Sequence, residues 1–276
     1  MEQVLKTMLE NVRAKSPLVH NITNYVTVND VANVLLAAGG SPIMSDDVDD
    51  VEDITSICGG LNINIGTLNK STIPSMFLAG KKANELGHIV LLDPVGAGAS
   101  RLRTDTANRL MQEVRFDAVR GNISEIKTLC TGSGSTKGVD ADAVDAVTEA
   151  NLDDGVQLVK TFAQRAGCIV AVTGAIDLVS DGERCWCIRN GRAEMSRITG
   201  TGCQLSALMT AFLVANPDHK LDAAAAAVCM MGLAGEIGWA NMQPGDGNST
   251  YRNRIIDAIF NMTGDALEEG AKYELR

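Results

Sequence analysis

The chain has 276 residues, 45% of them hydrophobic and only 4% aromatic, with a formal net charge of −10. This length suits one large α/β domain, and the abundance of small aliphatic side chains suits helices layered on a sheet better than a β-sandwich. An acidic chain with scattered lysines and arginines has no electrostatic footprint for non-specific nucleic-acid binding. The N-terminus, MEQVLKTMLENVRAKSP, is amphipathic, contains acids and lacks an apolar signal core, so neither a signal peptide nor a membrane anchor is expected there. Seven cysteines, odd in number and without zinc spacing, point to a reducing, cytoplasmic setting.

Taken in order, Val4, Leu5, Met8, Leu9 and Val12 share one face of a helix over residues 2–14, and Pro17 separates it from a short strand, LVHNI. A helix from Thr27 or Asn29 stops at Gly39-Gly40. SPIM reads as a strand ending at Met44, followed by an acidic helix start. LNINIGT (61–67) is a strand, STIPSMFLAGKKANELG a helix, and HIVLLDPVGAGAS a strand that empties into a glycine turn. FDAVRGNISEIKTL repeats the pattern. A loop, TGSGSTKG, and a helical segment from Ala141 to Ala166 lead to the strand CIVAVTG. Such βα alternation implies a central, mostly parallel sheet with helices on both faces. DLVSDGERCWCIRNG then reads as antiparallel hairpin pieces with turns at Asp181-Gly182 and Asn190-Gly191, followed by a mostly helical last third. Cys185 and Cys187 flank Trp186 and share one strand face, a packing pattern. No linker or low-complexity tract interrupts residues 1–276, so they are read as one domain.

The stretch RITGTGCQLSALMTAFLVA (197–215) opens a long apolar helix from a glycine turn. Free N–H groups and the helix dipole at such a terminus make an anion site, and a thiol there, Cys203, is expected to have a lowered pKa. In open parallel sheets ligands bind beyond the carboxyl ends of the strands. Asp93, Arg120, Asn122 and Thr173 all fall at such ends, and Glu125 follows Asn122 by one helical turn. A carboxylate, an Asn with its Glu, a Thr and an anion-binding helix end are the parts of a nucleotide and Mg²⁺ site. His20, alone at a strand end, reads as structural more readily than as a general base. No Walker pattern occurs, and GAGAS lacks the third glycine of a dinucleotide fingerprint.

Together PLVHNITNYV, SPIMS, NINIGTL, LDPVGAGAS, RGNISEI, AVTGAIDLVSDG and TGTGC, in this order and spacing, resemble the hydroxyethylthiazole kinases of the ribokinase-like superfamily, nearly end to end. The resemblance implies a ribokinase-like α/β fold, ATP as donor, Mg²⁺, and phosphorylation of 4-methyl-5-(2-hydroxyethyl)thiazole in thiamine biosynthesis and salvage. It also implies a homotrimer with active sites at subunit interfaces. By position it implies substrate contacts from Met44 and Gly200, with Asn24 nearby, and ATP or phosphate contacts from Arg120, Thr173, Asn122 and Gly202. Asp93 and Glu125 correspond to metal neighbours acting through water, and Cys203 to the proposed catalytic position, where the wider superfamily has aspartate. Aliphatic lining by Met44, Val26 and Ile198 is expected to suit a small, weakly polar ring. Two other readings share the fold: an ATP-dependent dehydratase of hydrated nicotinamide nucleotides, disfavoured by PLVHNITNYV and SPIMS, and a non-catalytic nucleotide-binding trimer, disfavoured by Asp93, Asn122, Glu125 and Cys203 occurring together.

Overall fold

A computed structural model describes residues 3–131 and 146–276. In chain order the elements are α1 (Val4–Lys15), β1 (Leu18–Ile22), α2 (Val28–Ala38), β2 (Ser41–Met44), α3 (Val51–Ile57), β3 (Gly60–Asn64), α4 (Thr72–Leu86), β4 (Ile89–Asp93), α5 (Arg101–Glu113), β5 (Ala118–Asn122) and α6 (Ile123–Thr131). After residue 146 come α7 (Leu152–Ala166), β6 (Ile169–Thr173), β7 (Asp177–Ser180), β8 (Cys185–Ile188), α8 (Thr201–Ala215), α9 (Lys220–Ala240), α10 (Asn248–Asn261), α11 (Gly264–Gly270) and β9 (Tyr273–Leu275). They form a nine-stranded sheet in the order β2-β1-β3-β4-β5-β6-β7-β8-β9. The first six strands of that order run parallel and the last three join antiparallel.

Strand alternation divides the core into two layers. In β4, Leu91 packs with α1, α8 and α9, while Val90 and Leu92 face the layer under α4 to α7. In β8, Trp186 and Ile188 face the first layer and Cys185 and Cys187 share the second. Burial on both faces explains why these strands read as continuous apolar runs. Helix α9, part of an apolar stretch long enough to span a membrane, is mostly buried here as a core helix. All seven cysteines are free thiols.

Four expectations change. The helix expected from Ala141 begins at Leu152, because Thr148 and Asn151 cap a short 3₁₀ turn ahead of it. Residues 141–145 and the glycine-serine loop after Thr131 lie outside the described residues. Helix α5 was not expected: its buried face consists of Thr106, Ala107 and Leu110, too polar a set to show strongly in the pattern. The Asp181-Gly182 turn does join β7 to β8, but Asn190-Gly191 closes no hairpin; β8 pairs instead with the C-terminal β9, a strand the helical reading of the last third did not contain. The 61–67 strand is shorter, ending at Asn64.

The site is positioned by α8. After β8 at one side of the sheet the chain returns across the first layer, and α8 packs on β1, β3 and β4. Its N-terminus thereby meets the carboxyl end of β4, where register places Asn64 beside Asp93.

Candidate active site

Asp93 closes β4 with a fully buried side chain. Its Oδ2 accepts hydrogen bonds from Ser206 Oγ at 2.7 Å and Asn64 Nδ2 at 2.8 Å, and Arg120 Nη1 stands 3.5 Å away. Oδ1 has no partner. Burial pushes this carboxyl above its ordinary range, against the pull of Arg120 and the two hydrogen bonds. Arg120 reaches from β5, where it lies opposite Ala171 in the register, and its Nη2 donates to Thr173 Oγ1 at 2.5 Å. Its guanidinium also rests against Gly202 in the first turn of α8.

Gly200 caps α8 in the left-handed region, with φ of 84°. A β-carbon there would collide with the Thr27 side chain, so both conformation and space demand glycine. The first intrahelical bond runs from Gln204 N to Gly200 O at 2.9 Å, which leaves the N–H groups of Thr201, Gly202 and Cys203 without partners inside the helix. Cys203 is buried, and Asn24 Nδ2 donates to its sulfur at 3.1 Å. The lowered thiol pKa expected for a helix terminus is not found. Burial, and then the negative Asp93, push the thiol up to about 11 against the pull of Arg120 and of hydrogen bonding by Asn64 and Asn24, so sulfur is protonated at neutral pH.

The N-x-x-E pattern is a capping box. Asn122 Oδ1 accepts from Glu125 N at 2.9 Å, and Glu125 Oε2 accepts from Asn122 N at 2.8 Å, starting α6 at the end of β5. The other oxygen, Oε1, accepts from Gly96 N at 2.8 Å, tying the PVGAG turn to this junction. Burial and then Asp93 raise the Glu125 carboxyl to about 7.

Met44, at the end of β2, packs against the small cluster that contains Cys203, Val31 and Ala207. Asn24 belongs beside it: its Nδ2 also donates to Asn64 Oδ1 at 3.1 Å, and its Oδ1 accepts from Thr27. Of the three side chains expected to line the acceptor site, Met44 alone joins this cluster. Val26 is exposed with Tyr25 on the turn at residues 25–27, and Ile198 is buried in the layer beneath α9. His20 is pinned on both ring nitrogens, Nδ1 by Thr55 Oγ1 at 3.0 Å and Nε2 by the Ser45 carbonyl at 2.9 Å, and burial lowers its pKa. A neutral imidazole that donates to Ser45 and accepts from Thr55 braces the β2 end; it has no nitrogen left for a substrate proton. Ser206 escaped the sequence reading, although it follows Gly202 by one helical turn; Asn64 lies in the NINIGT segment that the resemblance places near the thiazole, but its bond to Asp93 was not foreseen.

A mostly parallel sheet whose strand ends carry Asp93, Arg120 and Thr173 against a glycine-opened helix terminus defines a kinase of the ribokinase-like class. A Staphylococcus aureus pyridoxal kinase solved with AMP-PCP shares the fold at TM-score 0.61 and 15% identity, covering 94% of this chain and 97% of its own. The family model described as the hydroxyethylthiazole kinase family matches residues 9–265, and the chain belongs to that family. Hydroxyethylthiazole kinase of Clostridium acetobutylicum is 56% identical over 271 residues, 98% of this chain and 99% of that one. The solved structure of the Pyrococcus horikoshii hydroxyethylthiazole kinase protein superimposes with TM-score 0.87 at 33% identity, over 99% and 98% of the two chains.

Proposed function

We propose that the protein transfers the γ-phosphoryl group of ATP to the side-chain hydroxyl of 4-methyl-5-(2-hydroxyethyl)thiazole, in the cytoplasm, for thiamine biosynthesis and salvage. The observation that carries this reading, beside family membership, is the meeting of Arg120, Asp93 and Cys203 at the α8 N-terminus, with Met44 packed on the sulfur side.

Phosphoryl transfer has a loose transition state, so alignment and charge neutralisation supply most of the rate. The hydroxyl oxygen bonds to the γ-phosphorus as the bond to the β–γ bridging oxygen breaks. The N–H groups of Thr201, Gly202 and Cys203 face the phosphoryl oxygens, and Arg120, braced by Thr173, contacts the nucleotide phosphates with Asn122 adjoining. Cys203, as a neutral thiol held by Asn24, positions the acceptor hydroxyl beside Met44 and Gly200. The hydroxyl proton leaves late, when bond formation has acidified it, and passes to a phosphoryl oxygen.

Mg²⁺ fits this donor set. Among the described residues no three His, Cys, Asp or Glu side chains converge, and Mg²⁺ is the cation that keeps its waters and uses one or two carboxylates plus phosphate oxygens. The unpartnered Oδ1 of Asp93 and the Glu125 carboxylate would hold it through water. When bound, it supplies positive charge to the β- and γ-phosphates. A homotrimer is part of the proposal, because Tyr25 and Val26, on the turn that carries Asn24, are 62% and 64% exposed and offer an apolar edge for a second subunit next to the acceptor site.

ADP release coupled to a panel of alcohols tests the reading. Turnover should be confined to the thiazole alcohol, with the hydroxymethylpyrimidine slow or inert; turnover of hydrated NADH, or nucleotide binding without turnover of any alcohol, would overturn it.

A further inference from the structure

Asp93 is held by more than its ion pair. All the donors that reach it converge on Oδ2: Ser206 Oγ at 2.7 Å, Asn64 Nδ2 at 2.8 Å and Arg120 Nη1 at 3.5 Å, leaving Oδ1 buried and uncommitted. A carboxylate is symmetric, so nothing in its own chemistry selects one oxygen. The selection comes from its surroundings.

Ser206 is the unusual partner. Hydroxyl side chains inside helices ordinarily back-bond to the carbonyl four residues earlier, and Thr210 in the same helix does so, donating to Ser206 O at 2.9 Å. Ser206 has that option toward Gly202 O, at 3.3 Å, but its single proton is better placed on the charged oxygen at 2.7 Å. This bond crosses from α8 to β4, so it fixes the carboxylate relative to the same helix terminus whose free N–H groups face the phosphoryl. Asn64 holds Oδ2 from the other side, and its own Oδ1 is fixed by Gly66 N at 2.9 Å and Asn24.

We propose that Ser206 is a positioning residue for phosphoryl transfer: with Asn64 it locks Asp93 in the orientation that reserves Oδ1 for the Mg²⁺-bound nucleotide. This rests on the kinase reading above. Ser206 touches no reactant, and its effect passes through Asp93.

The experiment is a double-mutant cycle of Ser206→Ala and Asp93→Asn in the full chain, read by calorimetric binding of AMP-PCP with and without Mg²⁺, by kcat and KM, and by melting temperature. Loss of one hydrogen bond to a charged group predicts a kcat about tenfold lower in Ser206→Ala. KM for the thiazole alcohol should stay within about twofold, the Mg²⁺-dependent gain in AMP-PCP affinity should shrink, and both effects should vanish when Asp93 is already Asn. Equal losses in both backgrounds, wild-type behaviour of Ser206→Ala, or a raised KM with unchanged kcat would each overturn the proposal. If Ser206→Ala does not fold, Ser206→Cys, similar in volume and a weaker donor, is held to the same criteria. An inactive wild type would refute the kinase reading, while the AMP-PCP cycle would still judge Ser206.

Discussion

The guanidinium of Arg120 covers Gly202 so closely that a β-carbon on Gly202 would stand 2.5 Å from each of its terminal nitrogens. Glycine at this position therefore lets an arginine from a strand occupy the space over the first turn of α8, where the proposed mechanism puts the nucleotide phosphates. Arg120 is in turn braced by Thr173, so its placement depends on two strands and a helix at once.

Gly202→Ala is expected to displace the guanidinium rather than unfold the protein, since the obstructed atoms end a long side chain. A phosphate contact of the charged kind is worth about 1.5–3 kcal/mol, so KM for ATP should rise by about tenfold or more. The melting temperature should move by less than about 3 °C. Steady-state kinetics with calorimetric melting checks this; a large fall in melting temperature with KM unchanged would refute it.

Cys203→Ser should keep measurable turnover. A thiol standing at about 11 is not a thiolate in waiting at neutral pH, and serine preserves a small group at the same place. We expect kcat to fall by no more than about 10²-fold, the scale of one proton-transfer contribution. Complete loss of turnover with AMP-PCP and thiazole binding intact would show that sulfur does something oxygen cannot.

Glu125 makes a pH prediction. Its carboxyl lies at about 7 in the folded chain against an ordinary 4.5. Between these values the folded protein keeps a proton that the unfolded chain has released, so the stability this group contributes is present at low pH and lost as pH rises through the window. Asp177, also raised to about 7 by burial, acts with the same sign. Denaturant unfolding of the ligand-free protein at pH 5 and pH 8 should show that loss, and Glu125→Gln should reduce it by about 3 kcal/mol at most. A pH dependence identical in the two proteins would contradict the assignment.

The sequence carried the parallel sheet, the buried α8 and the strand-end positions of Asp93 and Thr173, because apolar runs, glycines and strand termini are local signals. It did not carry α5, whose buried face, Thr106, Ala107 and Leu110, holds a single large apolar side chain and so lacks an apolar stripe. The direction of the Cys203 shift was unreadable for a different reason. The helix-terminus rule is local, whereas burial and the nearby Asp93 come from segments distant in the chain. Ser206 belongs to the same class: it looks like an ordinary helix residue until folding sets it against Asp93, and the bond from Asn64 to that carboxylate is equally non-local.

The bond from Ser206 to Asp93 joins residues 113 positions apart. During synthesis the parallel strands emerge first, and the helix that faces their carboxyl ends follows much later, so the proposed nucleotide site cannot be assembled until α8 has been made. Until then β1, β3 and β4 lack the cover that α8 provides, and that bare apolar face is the part of the nascent protein most exposed to aggregation or to capture by a chaperone.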